Sequence, residues 1–271
     1  MDRWAQSGAI QRAAESDPRR GGVRARARHR HLKAPERAFG RCYGSHMPIV
    51  RAAWLGRIAY APAFELQRAL ADRLAAGEID DTLLLLEHDA VYTLGRRATD
   101  GEVLLDADAL AARGIAVERT DRGGRVTYHG PGQLVGYPII DLGQNTDLVA
   151  YVRTLERALI ATLTEYGVDA GMIDGLTGVW AGDAKIGAIG VHVSRGITTH
   201  GFALNVTADL DAFNGIIPCG IVDRGVTSIE ALTGSRPGVE EVGRRAAVHL
   251  ADFLGSSLSW TEPAALEGAH V

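Results

Sequence analysis

Apolar positions follow two different periods along this chain, and the switches between them mark out its elements. From Tyr60 to Leu74, Phe64, Leu66, Leu70 and Leu74 recur near helical spacing, and Gly77 follows as a stop. The uninterrupted run Leu83–Leu86 predicts a buried strand within Thr82–Glu87, followed by a turn at His88-Asp89 and a strand at Val91–Leu94. A short helix at Asp106–Arg113 ends at Gly114, and Ile115–Arg119 reads as a strand. Arg125–His129 and Gln133–Asp141 read as strands joined through Gly130-Pro131-Gly132, a turn signal that by itself suggests a hairpin. In the clearest helix, Asp147–Tyr166, Leu148, Val152, Leu155, Leu159 and Leu163 share one face, and Gly167 closes it. Gly178–Trp180, Lys185–Ser194 and Thr198–Val206 form a hairpin-like series rich in Val, Ile, Thr and Gly. A short helix at Asp209–Asn214, a capping-box pattern over Thr227–Glu230 and a last helix at Val239–Leu254 complete the pattern.

Strands in runs, interrupted by a few helices, favour an α+β fold with a mixed sheet and flanking helices over a doubly wound one. With 271 residues, 46% of them hydrophobic, the chain can bury a full core without staples. No repeat or linker is visible after Met47, so residues 47–271 are expected to form a single domain, with about the last 15 residues as a loose tail. Residues 1–46 differ in kind. They carry eleven Lys and Arg against four Asp and Glu, with Arg24, Arg26, Arg28 and Arg30 in alternation, whereas residues 47–271 carry eighteen against twenty-nine. Such a basic, core-poor head reads as a disordered extension in preference to a nucleic-acid arm or an organelle transit peptide. It reads equally as a native segment, a tag remnant or an over-extended start, since Met47 follows Gly44-Ser45-His46.

No apolar run approaches the roughly 18 residues of a membrane span. An apolar h-region is missing near Met1, and Cys42 and Cys219 read as free thiols, with a disulfide between them disfavoured. The expectation is a cytoplasmic protein in a reducing compartment.

Three segments carry candidate chemistry. Asp121–Gln133 packs four glycines and a proline around Thr127, Tyr128 and His129. Glycine lets backbone approach a ligand and present its N–H groups, although no Gly-Lys-Ser/Thr follows to make a phosphate loop. Asp183–His192 holds Lys185. The chain has only two lysines, Lys33 and Lys185, and seventeen of the eighteen basic residues after Met47 are arginine. Arg serves wherever a permanent charge suffices; Lys, unlike Arg, can give up its proton when burial lowers its pKa. Phe213–Ile221 places Cys219 between Pro218 and Gly220, where a constrained loop can present a sulfur. A buried structural cysteine is the commoner fate of such a residue.

Taken together, these segments suggest thioester chemistry. A thiol with pKa near 8.5 is only a few per cent thiolate at neutral pH, and a neutral lysine beside it can take its proton and then stabilise the anion. Backbone N–H groups near Gly201 or Gly220 could stabilise the oxyanion that develops.

At these segments the chain resembles the octanoyl (lipoyl) transferase family of lipoate biosynthesis. The matching runs are RGGRVTYHGPGQLVGYPIIDL (122–142), KIGAIGVHVSRGITTHGFALNV (185–206) and IIPCGI (216–221). The resemblance covers Arg51 to about Leu254, with His192 as one departure where Arg is expected in relatives. It implies the fold shared by biotin and lipoate protein ligase catalytic domains. The implied activity, the first step of protein lipoylation, transfers an octanoyl group from acyl carrier protein to a lysine of a lipoyl domain. Cys219 would be the acyl-thioester carrier, Lys185 its activating base, and His129 a positioning residue near the sulfur. The implied acyl-binding wall comprises Arg122, Gly123, Gly124, Arg125, Val126, Thr127, Tyr128 and His129 with Ala188, Ile189, Gly190, Gly201, Phe202 and Ala203. Acceptors would be lipoyl domains of 2-oxoacid dehydrogenase complexes and the glycine-cleavage H protein. A monomer without cofactor, metal, nucleic acid or membrane partner is expected.

Two rivals differ in chemistry. A lipoate or biotin protein ligase would adenylate a free acid with ATP and would not need Cys219. A non-catalytic acyl-carrier-binding module would keep the fold without turnover. His88, His129, His192 and His200 match no standard zinc spacing. Because the inferred partner proteins are acidic and the folded part is too, docking requires a local basic patch, for which Arg96, Arg97, Arg122, Arg125, Arg195 and Arg224 flank the motifs.

Overall fold

A computed structural model describes residues 47–144, 147–217 and 224–266, all within one unit spanning Ala34–Val271. The basic head and Cys42 lie outside the described residues, as does Cys219.

The chain runs β1 (Ile49–Ile58), α1 (Tyr60–Ala75), β2 (Asp81–His88), β3 (Val91–Leu94), α2 (Ala107–Ala112), β4 (Ala116–Arg119), β5 (Val126–His129) and β6 (Gln133–Ile139). It continues with α3 (Leu148–Glu165), β7 (Gly171–Ile173), β8 (Leu176–Ala181), β9 (Ala184–Ser194), β10 (Ile197–Asn205) and a 3-10 turn at Leu210–Gly215. The last elements are α4 (Ile229–Thr233), α5 (Val239–Leu254), β11 (Ser257–Trp260) and α6 (Pro263–Leu266). Among the described residues, eight strands form one sheet in the order β11-β1-β2-β6-β10-β9-β8-β7, and β4-β3-β5 form a second. β11, β1 and β2 are parallel, and every later neighbour is antiparallel, so the sheet is mixed and the expected α+β architecture is present.

The four-leucine run explains how the layers hold. Leu83 and Leu85 point to the face covered by α3 and α5, where they pack with Leu155, Leu159, Val242 and Leu250. Leu84 and Leu86 point to the opposite face, with Ala63, Leu70 and Leu74 of α1. A strand buried on both faces has no reason to alternate, which is why its sequence is continuously apolar. The helix α3 is capped by Asp147, whose carboxylate accepts from the N–H groups of Val149 and Ala150.

Four local expectations need correction. β5 and β6 are not a hairpin: β5 pairs with β3 in the small sheet, and β6 pairs with β2 and β10 in the large one. Gly132 makes the crossing. At φ +81° it takes a conformation that suits glycine, and a Cβ there would lie 2.6 Å from the Thr207 carbonyl. The helix after Thr227 is capped by Ser228, which accepts from the Ala231 N–H, so the cap is one residue later than the Thr227–Glu230 pattern implies. β1 and β11 were not legible as strands, because Arg51, Arg57 and Gly56 break the pattern of one and the other has four residues. The end of the chain is also not loose through residue 266. β11 pairs in parallel with β1, Leu266 is buried, and Arg73 donates to the Leu266 carbonyl at 2.6 Å.

Candidate active site

Both chain crossings between the sheets, at 88–91 and 129–133, fall at the same end of the central strands β2 and β6, and a cavity of about 450 Å³ opens near it. That volume suits a small-molecule site. One wall is the glycine-rich loop, Arg122 to Thr127; another is formed by Ala188–Val191 of β9 and Gly201–Ala203 of β10. Leu148 and Val152 of α3 and Leu176 of β8 add apolar surface, and Phe213 closes one side.

Several contacts fix the loop. The Gly123 N–H donates to the Val191 carbonyl at 3.0 Å. The close approach depends on Gly190, since a Cβ there would sit 2.9 Å from the Gly123 carbonyl. The guanidinium of Arg122 is buried and donates to the Thr93 hydroxyl (2.8 Å) and the Gly123 carbonyl (3.0 Å). Arg125 donates to Glu102 at 2.7 Å. Burial works to raise the Glu102 pKa, but hydrogen bonds from Arg125 and Thr99 hold it below the usual carboxylate value.

Lys185 is the second residue of β9, half-buried, with Nζ 4.7 Å from the centre of the Trp180 ring. Its N–H donates to the Gly225 carbonyl and its carbonyl accepts from the Thr227 N–H, both at 2.9 Å. The chain that follows Asp223 is thus fastened alongside Lys185. The chain before Pro218 is fastened too: the Ile217 N–H donates to the Glu102 carbonyl at 2.9 Å, and Ile216 bridges Val103. Cys219, with Pro218 and Gly220, lies between these anchors and outside the described residues.

Two histidines, His129 and His200, belong to the cavity lining. His129 is buried, with Nδ1 2.7 Å from Gln133 Oε1. Burial, with the nearby His88 and the Arg122 charge, holds the His129 pKa well below the ordinary histidine value. His88 beneath it meets the Ile58 carbonyl through Nδ1 (2.9 Å) and the Tyr137 hydroxyl through Nε2 (2.6 Å). A carbonyl only accepts, so Nδ1 carries the proton; burial lowers this pKa to about 4. His200, at φ +57°, is held by Gln67, which accepts from its N–H, and by Asp121 at 2.7 Å. Burial lowers the His200 pKa, and the Asp121 hydrogen bond opposes the shift. His192 lies 3.8 Å from the other Asp121 oxygen.

Of the residues singled out in the sequence, Lys185, His129, Arg122–Thr127, Ala188–Gly190 and Gly201–Ala203 all meet at this cavity. Tyr128 does not line it. Its ring instead makes edge contacts with Tyr92 and Phe213. The sequence reading missed Tyr60, Tyr137, Trp180, Gln133 and Asn205, which also line the cavity. A signal was available for Gln133, as an amide heading an otherwise apolar strand.

Residues 59–251 match the lipoyl protein ligase A/B catalytic domain, and the chain belongs to that family. It is 55% identical to an octanoyltransferase of Solibacter usitatus over 198 residues, 73% of this chain and 89% of that one. It is 49% identical to an octanoyltransferase of Acidobacterium capsulatum over 230 residues, 79% of this chain and 94% of that one. Among solved structures, a putative lipoate protein ligase from T. acidophilum with bound lipoic acid aligns with TM-score 0.63 at 19% identity, over 80% of this chain and 90% of that one. A lipoate-protein ligase A bound with ATP aligns at 0.64 and 20% identity, again over 80% and 90%. These two likenesses establish the fold. Among the described residues, no helix is long and apolar enough to cross a membrane.

Proposed function

We propose that this chain is an octanoyltransferase of protein lipoylation, acting in the cytoplasm. It moves the acyl group from acyl carrier protein through Cys219 to a lysine of a lipoyl domain. One observation carries the reading. The single lysine of the folded part, the glycine loop and the two strand segments meet at one cavity, and the chain on both sides of Cys219 is anchored to that cavity's neighbourhood. High identity to proteins named octanoyltransferase supports it.

In the first half-reaction Lys185 takes the Cys219 proton, and the thiolate attacks the carrier thioester. The new C–S bond forms as the carrier's C–S bond breaks, and the leaving thiolate takes the proton back from Lys185. Thioester exchange is close to isoenergetic, so no nucleotide is required. In the second, the acceptor amine attacks the Cys219 thioester; the C–N bond forms as the C–S bond breaks, Cys219 leaves as thiolate, and the amine gives up a proton to a base. At its reference pKa near 10.4 the acceptor is almost entirely ammonium at neutral pH, so a local base assists. The apolar wall of Ile189, Phe202, Leu148 and Leu176 would hold the acyl chain.

The competing reading is a nucleotide-dependent ligase, since the fold is shared with a lipoate-protein ligase bound with ATP. Transfer from octanoyl-carrier protein to a purified lipoyl domain, with and without ATP, separates the two. Equal rates in both arms support the transferase, and strict dependence on ATP would overturn it.

A further inference from the structure

Gln133 opens β6 and Asn205 closes β10, directly opposite each other on strands whose every residue is buried. A buried amide left without partners is destabilising, so the partners of these two are informative. Two backbone carbonyls, which can only accept, set the direction of the network. The Thr227 carbonyl accepts from Asn205 Nδ2 at 2.9 Å, and the Tyr128 carbonyl accepts from Gln133 Nε2 at 3.2 Å. Asn205 Oδ1 then accepts the second Gln133 Nε2 proton at 2.9 Å. Turning either amide over would set oxygen against oxygen. Gln133 Oε1 is left facing His129 Nδ1 at 2.7 Å, and an amide oxygen only accepts, so Nδ1 carries the ring proton. In the neutral ring that burial enforces, Nε2 is the bare nitrogen of a residue that lines the cavity.

We infer that Gln133 and Asn205 are positioning residues that lock His129 in the Nδ1–H tautomer, so that its Nε2 serves as the proton acceptor when the acceptor lysine attacks. The amine is the one named by the transferase reading, on which this part rests; the tautomer follows from the hydrogen bonds alone. The nitrogen of the neutral amine bonds to the thioester carbon and becomes acidic, and one of its protons passes to Nε2. The carbon–sulfur bond then breaks with its electron pair going to Cys219, and the imidazolium returns the proton to that sulfur. The same network reaches the other base, because the Thr227 N–H donates to the Lys185 carbonyl. A single run of hydrogen bonds thus sets the place of a base for each half-reaction.

The test is nuclear magnetic resonance of the full chain labelled with heavy nitrogen in its histidine rings, with His129→Gln used for assignment. A bare Nε2 and a protonated Nδ1 are expected. A protonated Nε2, or a doubly protonated ring at neutral pH, overturns the inference. Gln133→Met keeps the length and removes the lock. It should shift the His129 signals toward a mixture of tautomers and lower kcat roughly tenfold, part of the roughly 100-fold that loss of a general base costs, with KM for the carrier unchanged. Asn205→Leu removes the acceptor of the second Gln133 Nε2 proton and should move the spectrum the same way. Wild-type signals in both variants would remove the two amides from the role. If wild-type protein never forms an octanoyl adduct, the transferase reading fails while the spectrum still decides the tautomer.

Discussion

β2 and its neighbouring pair β6–β10 run through the middle of one sheet and are equally buried, yet they are built on different terms. β2 presents Leu83 to Leu86 to two helical layers and asks its neighbours only for volume. β6 and β10 carry Gln133 and Asn205 at the end nearest the small sheet, and each amide there needs partners of the right polarity. The large sheet therefore has a middle whose energetics are additive and forgiving, and an end where a single wrong donor leaves a buried group unsatisfied. The cavity opens at that second end.

The contrast can be broken first at the chemistry. Lys185→Arg keeps the charge and the contact with the Trp180 face but cannot act as a base, so acyl transfer should fall by roughly 10²- to 10⁴-fold. Steady-state rates check this, and an active variant would mean that charge alone is enough. The opposite case is Leu84→Ala, which should lower stability to denaturant by about 2–5 kcal/mol while the folded enzyme keeps its KM. A changed KM would erase the distinction between the two regions.

Buried histidines sharpen it through pH. The folded His88 pKa is about 4, below the ordinary 6.5, because burial disfavours the charged ring. The unfolded chain takes up this proton below about pH 6.5 and the folded chain does not until about 4. Stability from this group is therefore complete above pH 6.5 and is lost as pH falls toward 4, a decline of about 3 kcal/mol. Denaturation curves at a series of pH values should show that slope, and His88→Gln should flatten it. The smallest effect is expected at the rim. Arg96 and Arg97 are exposed, and their N–H groups donate to the Arg122 and Gly124 carbonyls, which puts their chain beside the glycine loop. Reversing both charges should slow capture of the acidic carrier roughly tenfold at low salt, with the difference closing at high salt. Unchanged stopped-flow on-rates would remove the pair from the docking surface.

The strands and helices of the core were legible because burial on one or two faces writes a period into the sequence. Leu83–Leu86 reads correctly, and of the predicted α3 stripe Leu155, Leu159 and Leu163 are buried, whereas Leu148 is exposed and Val152 half-buried at the cavity. What was missed is what pairing decides. The turn at Gly130-Pro131-Gly132 looks the same whether the chain folds back on its own strand or crosses to another sheet, and here it crosses. β1 and β11 depend on their neighbours more than on any pattern of their own. In the site, glycine runs and an isolated lysine stood out, while Gln133, Asn205 and Trp180 did not. Their importance lies in contacts across dozens of residues, such as Asn205 with Thr227 and Gln133 with Asn205. Tyr128 lies in a segment whose neighbours line the cavity, yet its ring packs against Tyr92 and Phe213 instead, a contact that only the tertiary structure decides.

The central claim, a cysteine thioester formed without nucleotide, is tested most directly by mass spectrometry of the protein mixed with octanoyl-carrier protein and no ATP. The account expects an octanoyl mass increase on the peptide that contains Cys219, absent from Cys219→Ala. No adduct, or one located on another residue, would contradict it.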